Sequence, residues 1–194
     1  MILQLFLVGL LAGLLGSLQP GPVNSTVVLT NAVQGTYYAK KIAFGGSLVQ
    51  GIGALLVWYY FKYLDLSFLM RHANVLGYFF LLLTLYYFIK KDAPRQVAGT
   101  AVGDGVIRGS VLAVFNPQII PYWAFVSGSV ALVVEAEHSF LMALSLGLGA
   151  IVGTYAILNV LIIVSRRFKG GLAKLPVSNV LAIVSLMLAI RFLL

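Results

Sequence analysis

The sequence contains no cysteine and only two histidines, His72 and His138, which lie far apart. Disulfides, thiolate metal sites and thiol redox chemistry are therefore excluded, and the histidines lack metal-ligand spacing. Charge is scarce as well, since 9% of the residues are charged, against about 25% in soluble proteins. No Asp or Glu lies deep within an apolar run, so no cluster of acid, base and nucleophile is visible. We expect no enzyme, bound metal or cofactor.

Apolar residues fill most of the chain. They make up 61% of the sequence, and the mean hydropathy is +1.02, which predicts an integral membrane protein. Most of the apolar runs approach or exceed the roughly 20 residues that cross a bilayer. Six spans are predicted: one within Met1 to Gln34, then Ile42 to Phe61, Ala73 to Ile89, Gly109 to Val134, Ser139 to Ser165 and Leu175 to Leu194. The predicted fold class is all-α, with six transmembrane helices.

Basic residues indicate the orientation of these spans. Alternate connections carry ten Lys and Arg residues: Lys40, Lys41, Lys90, Lys91, Arg95, Arg108, Arg166, Arg167, Lys169 and Lys174. The other side carries Lys62, Arg71 and Arg191. By the positive-inside rule the richer side is cytoplasmic, which places both termini outside a bacterial-type inner (plasma) membrane. The net charge of +8 thus reflects cytoplasmic loops, and we expect no nucleic-acid partner.

The two halves of the sequence resemble each other. The segment from Ala12 to Pro20 matches the segment from Gly109 to Pro117 in its order of small, aliphatic and amide residues, at an offset of 97. Two further segments match in register: Gly51 to Ala54 with Gly147 to Ala150, and Asn74 to Gly77 with Asn179 to Ala182. Three matches in the same order predict an internal repeat.

The predicted repeat has an odd number of spans. Its first copy covers 1–91, a cytoplasmic linker covers 92–105, and the second copy covers 106–194. Because each copy has three spans, the two copies enter the membrane in opposite directions. This 3+3 inverted-topology repeat is the arrangement from which many secondary transporters are built.

Proline interrupts the first span of each copy. Pro20-Gly21-Pro22 and Asn116-Pro117 remove backbone donors, so a continuous helix cannot pass through either point. In hydrocarbon such a break is tolerated where it lines a protein-enclosed or watery cavity. Plain kinks are the alternative interpretation, but they do not explain why an amide side chain precedes the proline in both breaks. The pair predicts a substrate site near the middle of the membrane.

The candidate site residues follow from the breaks. The substrate-binding candidates are Gln19, Pro20, Gly21, Pro22, Asn24, Asn116, Pro117 and Gln118. The supporting candidates are Gly16, Ser17, Asn31, Gln50 and Tyr155. An interhelical hydrogen bond explains Asn31 and Gln50 about equally well.

Amide side chains and half-helix ends suit a neutral or zwitterionic substrate. Carbonyls that the prolines leave unpaired, at Gly16, Leu18 and Ala113, are acceptors for an ammonium group, whereas half-helix N-termini are donors for a carboxylate. A cationic substrate is less well supported, because no carboxylate lies at membrane depth. Asp65 is the nearest carboxylate, and a solvated interfacial charge is its preferred interpretation.

These motifs resemble the LysE/RhtB superfamily of amino-acid exporters. The resemblance rests on Pro20-Gly21-Pro22 with Asn24, on the glycine-rich segment from Gly35 to Gly53 with Lys40 and Lys41, and on Asn116-Pro117-Gln118. It covers essentially the whole chain. It implies a six-span inner-membrane protein that exports amino acids or related small metabolites with the proton motive force. The chain departs from the superfamily pattern at two points. Val23-Asn24 stands where many members have Asn-Asn or an acidic residue after Pro-Gly-Pro, and Gln50 stands where an Asp commonly follows a glycine in the second span.

Other interpretations stay open. The strips Gly9-x-x-x-Gly13 and Ser145-x-x-x-Gly149-x-x-x-Gly153 allow close helix packing, within the chain or in a homo-oligomer, and packing within the chain is preferred. The alternatives to an exporter of amino acids are an exporter of another small solute or ion, and a non-transporting membrane subunit or embedded enzyme. A subunit would lack a polar cavity between the halves.

Overall fold

Six helices form the part of the chain that the computed structural model describes. That part comprises residues 1–18, 21–60, 63, 78, 81–82, 85, 104–116, 118–131 and 139–167. The helices are α1 (Ile2–Gly16), α2 (Pro22–Val33), α3 (Thr36–Tyr60), α4 (Gly105–Val114), α5 (Ile119–Ala131) and α6 (Phe140–Arg167). No strand occurs among these residues, which confirms the all-α prediction for them.

Two of the helices, α3 and α6, are long and apolar enough to span a membrane. The helical stretches have 25 and 27 residues, with mean hydropathies of 1.5 and 2.2. Helix α3 begins at Thr36, six residues before the predicted span, because the turn at Gly35 ends α2 and the chain re-enters a helix at once. Helices α1, α4 and α5 are apolar but shorter. The predicted spans three and six lie largely outside the described residues.

By its internal contacts the chain divides into two compact units, 1–63 with 102–173 and 64–101 with 174–194. All six described helices belong to the first unit. The predicted repeat boundaries, 1–91 and 106–194 with the linker 92–105 between them, follow the order along the chain and stay a prediction.

Glycines let α1 and α6 pack backbone to backbone. A Cβ on Gly9 would overlap the carbonyl oxygen of Leu146, and a Cβ on Gly13 would lie 2.6 Å from the carbonyl oxygen of Ala150. Contacts therefore advance in the same direction on both helices, which makes them parallel. The small-residue strips predicted on these helices are thus used for packing within the chain.

Helices α3 and α4 pack in the same way. A Cβ on Gly105 would lie 2.8 Å from Lys41 Cβ and 3.3 Å from the Tyr38 carbonyl oxygen, whereas a Cβ on Gly109 would overlap the Ile42 carbonyl oxygen and lie 3.0 Å from the Gly46 nitrogen. Later residues of α4 meet later residues of α3, so this pair is also parallel. Helices α3 and α6, by contrast, cross in opposite directions, since Gly51 faces Ile151 while Gly147 faces Leu55.

Charged side chains of the described part gather at one end of the first unit. Lys41 contacts the start of α4 at Gly105, and the guanidinium of Arg166 donates to Thr36 Oγ1 at the start of α3. We call this region, with Lys40, Lys41, Asp104, Arg108 and Arg166, the basic end. At the opposite end, Ser145 Oγ donates to the Ile2 carbonyl at 2.6 Å.

Candidate functional site

The segments between α1 and α2 and between α4 and α5 line the same cavity. It encloses about 30 Å³, which is room for one or two water molecules. The lining residues are Gly16, Ser17, Gly21, Val23, Asn24, Gly46, Gln50, Asn116, Gln118, Thr154 and Leu158. None of them is charged. Residues nearly a hundred positions apart in the sequence thus meet at one polar site.

The first break runs from the end of α1 to the start of α2. Helix α1 ends at Gly16, and α2 restarts at Pro22, whose ring occupies the first helical position, where a missing N–H is harmless. Asn24 Nδ2 reaches back across the break and donates to the Ser17 carbonyl at 2.7 Å. Helix α2 has no side-chain cap at Gly21, and the Ser25 backbone N–H donates to the Gly21 carbonyl at 3.0 Å.

The second break is shorter and is capped by its own amide. Asn116 Oδ1 accepts from the Gln118 backbone N–H at 3.2 Å, at the start of α5. The Asn116 backbone N–H donates to the Ala113 carbonyl at 2.9 Å. That carbonyl was expected to be unpaired because of Pro117, but the turn at the end of α4 supplies it with a nearer donor.

Two cavity amides have their orientation fixed by groups that only donate. The indole Nε1 of Trp123 donates to Gln50 Oε1 at 2.9 Å, and a backbone N–H occupies Asn116 Oδ1. An indole N–H and a backbone N–H cannot accept, so the oxygen of each amide faces its donor and the NH₂ group lies on the other side. Their NH₂ groups, which have no partner among the described residues, are the groups left to donate in the cavity.

Tyr122 joins the two breaks directly. Its hydroxyl donates to the Ala12 carbonyl in the last turns of α1 at 2.5 Å. Its ring lies against Gly16, where a Cβ would approach the ring carbons to 2.8 Å. Helix α5 is therefore fastened to α1 beside the cavity, at a residue that the sequence pattern did not single out.

Most of the predicted residues that the structure describes line the cavity. Gly16, Ser17, Gly21, Asn24, Gln50, Asn116 and Gln118 do so, and Pro22 starts α2 beside them. Gln19, Pro20 and Pro117 lie outside the described residues, as does Asp65.

Asn31 and Tyr155 lie elsewhere. Asn31 Nδ2 donates to the Ile162 carbonyl at 3.0 Å and to Ser165 Oγ at 2.8 Å, two turns of α2 beyond Asn24. The ring of Tyr155 packs edge to face against Phe44, with centroids 6.0 Å apart. Neither residue lines the cavity. Asn31 lies too far along α2, and Tyr155 lies on a different side of α6 from Thr154.

Sequence reasoning missed Val23, Gly46, Thr154 and Leu158 as lining residues. Thr154 Oγ1 donates to the Gly13 carbonyl at 3.4 Å, so this residue meets α1 just before the first break. Gly46 follows Gly45, which packs against α4, and it faces Val23 at the start of α2. The glycine-rich pattern around residues 45–53 was the available signal.

No site made of several acidic, histidine or cysteine side chains occurs in the described ranges. The donors and acceptors of the cavity are uncharged amides, hydroxyls and backbone groups, which suit a small polar molecule better than a metal ion. No family model, curated protein or solved structure matches the chain.

Proposed function

We propose that the chain is a secondary transporter that exports amino acids or similar small zwitterionic metabolites. The observation that carries this proposal is the convergence of two helix breaks, one from each half of the sequence, on one uncharged polar cavity. Transporters of this class bind substrate where discontinuous helices meet near the middle of the bilayer. The motif resemblance to the LysE/RhtB superfamily supports the same function.

The helix directions support an inverted repeat in a membrane. Helix α1 runs parallel to α6, α4 runs parallel to α3, and α3 runs antiparallel to α6. Helix α1, which opens the first half, therefore runs opposite to α4, which opens the second. The basic end gathers the described charges on one side, as the positive-inside rule requires of a cytoplasmic face.

The outer surface supports a lipid environment. Leu3, Leu7, Leu11 and Leu15 form a stripe on α1 and are 48% to 69% exposed, on the side away from the buried Gly9 and Gly13. Serine and threonine side chains such as Ser47 and Thr154 are buried at the same time. Soluble monomers rarely expose contiguous apolar surface of this kind.

The cavity presents both signs of partial charge that a zwitterion needs. The NH₂ groups of Gln50 and Asn116 are donors suited to a carboxylate, and the N-terminal end of α2 carries the positive side of a helix dipole. The C-terminal end of α1, at Gly16 and Ser17, carries the carbonyl side of a helix dipole and suits an ammonium group. The described lining residues are uncharged, which favours a substrate without net charge.

The cavity is smaller than a typical ligand pocket. Ligand pockets usually measure about 300–1,000 Å³, whereas this cavity encloses about 30 Å³. Substrate entry therefore requires the two breaks to move apart. Alternating access would open the cavity to one side of the membrane at a time, with the proton motive force supplying the driving gradient.

Transport in inside-out vesicles tests the proposal. Labelled neutral amino acids should accumulate when a proton gradient is imposed, and Asn116→Ala should reduce uptake at low substrate concentration about 10-fold or more, since a hydrogen bond to a charged group contributes about 1.5–3 kcal/mol.

The matched control is Asn159→Ala. Asn159 Nδ2 donates to the Tyr155 carbonyl of its own helix at 2.7 Å, so its loss removes an amide without touching the cavity. Equal uptake by the Asn116 and Asn159 variants, at equal amounts of inserted protein, would reject the cavity as the substrate site. Absence of transport for every amino acid tested would contradict the proposal that the protein is an exporter.

A further inference from the structure

A hydrogen-bonded cluster joins the end of α2 to the end of α6. Asn31 donates through Nδ2 to the Ile162 carbonyl and to Ser165 Oγ, while its Oδ1 accepts from Thr36 Oγ1 at 2.9 Å. Arg166 donates to the same Thr36 hydroxyl. We call this group of Asn31, Thr36, Ile162, Ser165 and Arg166 the clasp. The amide of Asn31 uses both its donors and its acceptor in it.

The clasp lies on one side of the cavity, toward the basic end. Asn24 of α2 and Leu158 of α6 line the cavity, and Asn31 meets Ile162 and Ser165 further along both helices. From the cavity to the clasp, α2 and α6 bury the side chains of Leu158, Val27 and Ile162, each 1% exposed or less. Helices α2 and α6 thus form the wall that separates the cavity from the basic end.

Helix α2 is short and has a turn at each end. It has 12 residues and begins after the extended Gly21. It is followed by Gly35, whose φ of +87° is strained for other residues and whose missing Cβ would meet nothing within 4 Å. Its fastening to α6 is made by side chains, unlike the backbone contacts between α1 and α6. A helix attached in this way can swing about its ends when the side-chain contacts break.

We propose that Asn31 is the gating residue of the cavity on the side of the basic end. With the clasp formed, α2 is held against α6 and the cavity is closed to that side. With the clasp broken, α2 swings away from α6 and the cavity opens toward Lys40 and Lys41. This inference rests on the proposed transport function, because it assigns to Asn31 the control of access to the same cavity.

A single engineered cysteine can report access, because the chain has none of its own. Thr154→Cys places a thiol in the cavity wall with little change in side-chain size. A membrane-impermeant maleimide is then applied to vesicles of both orientations. With Asn31 intact, labelling of this thiol should be slow from both sides. Combined with Asn31→Ala, labelling from the basic end should become at least 10-fold faster, and labelling from the opposite side should stay slow.

Asn159→Ala in the same reporter background is the control and should leave both rates unchanged. Unchanged labelling in the Asn31 variant, or an equal rise from both sides, would overturn the gate, since the second result indicates a loosened fold. If Asn31→Ala fails to insert, Ser165→Ala removes one acceptor of the clasp and should give a smaller rise from the basic end only. No rise in that variant would also overturn the gate.

Labelling needs no substrate. If the Asn31 variant labels faster but the protein transports no amino acid, the gate proposal stands and the exporter proposal is rejected. If the protein transports amino acids but the Asn31 variant labels no faster than the protein with Asn31 intact, only the gate proposal is rejected.

Discussion

The half-helices that follow the two breaks are seated alike on α3. Each has a β-branched residue in its first turn that packs over a glycine, Val23 over Gly46 and Ile119 over Gly53. A Cβ on these glycines would approach the residue above to 2.7 and 2.8 Å, and both residues are buried. Helix α3 therefore has an equivalent glycine position, which we call a notch, beneath the first turn of each half-helix: Gly46 under α2 and Gly53 under α5.

Their attachments differ. Helix α5 is fastened close to its start by two aromatic residues, since Tyr122 bonds to α1 and the fully buried Trp123 bonds to Gln50 of α3. Helix α2 has no such aromatic anchor among the described residues; beside the aliphatic packing of Val23 and Val27, its polar attachments are amides, Asn24 to Ser17 within the break and Asn31 to the end of α6. Buried aromatics resist displacement more strongly than amide hydrogen bonds do. We infer that α5 is the fixed wall of the cavity and α2 the movable one.

Trp123→Ala should have the largest effect, because it removes the main anchor of the fixed wall. We expect the free energy of unfolding to fall by about 3–5 kcal/mol, as for other buried aromatics. Thermal unfolding of the detergent-solubilised protein measures the loss. Phe125→Ala on the same helix is the control, since Phe125 is 63% exposed. Equal losses in both variants would contradict the anchoring role.

Tyr122→Phe should have a moderate effect. The ring stays in place against Gly16, and only the hydrogen bond to the Ala12 carbonyl is lost, which lowers the free energy of unfolding by about 1 kcal/mol. The same unfolding measurement applies. Tyr37→Phe, at a residue 67% exposed, should change nothing, and a variant of Tyr122 as stable as that control would show that the α1 contact does not hold α5.

Gly46→Ala and Gly53→Ala should change stability little and by similar amounts, a net loss of about 0–2 kcal/mol, because the crowding of a stiff β-branched side chain, about 1–3 kcal/mol, is partly offset by the better helix propensity of alanine. The two variants should differ in the cavity, which Gly46 lines and Gly53 does not. Labelling of the Thr154→Cys reporter should change in the Gly46 variant alone. A change of the same size in the Gly53 variant would show that the two notches do not differ in this respect.

The breaks could be located from the sequence because proline acts locally. Pro22 begins α2 as its fixed backbone angle predicts, and Asn24, Asn116 and Gln118 beside the breaks reach the cavity. The position of Asn31 also follows from simple geometry. It lies seven residues beyond Asn24, or about 10 Å along a helix, which is too far to reach the same small cavity. Applying the rise of about 1.5 Å per residue to each candidate would have shown that Asn31 lies too far from the cavity.

Which residues of α3 and α6 line the cavity could not be predicted in the same way. Both helices are apolar on most faces, so the sequence does not show which residues point inward. That is decided where their glycines meet the backbones of α1 and α4. Thr154 faces the cavity, whereas Tyr155, turned by about 100° on the same helix, packs against Phe44. Only the packing register distinguishes these two neighbours.

The parallel packing of α1 on α6 has a consequence for biosynthesis. The hydrogen bond from Ser145 to the Ile2 carbonyl joins residues 143 positions apart. At translation rates of about 5–20 residues per second, roughly 7–30 s pass between the synthesis of the two partners. During that time the glycine face of α1 has no α6 to pack against. The emergence of α6 from the ribosome is therefore the event that allows the first helix to reach its final neighbours.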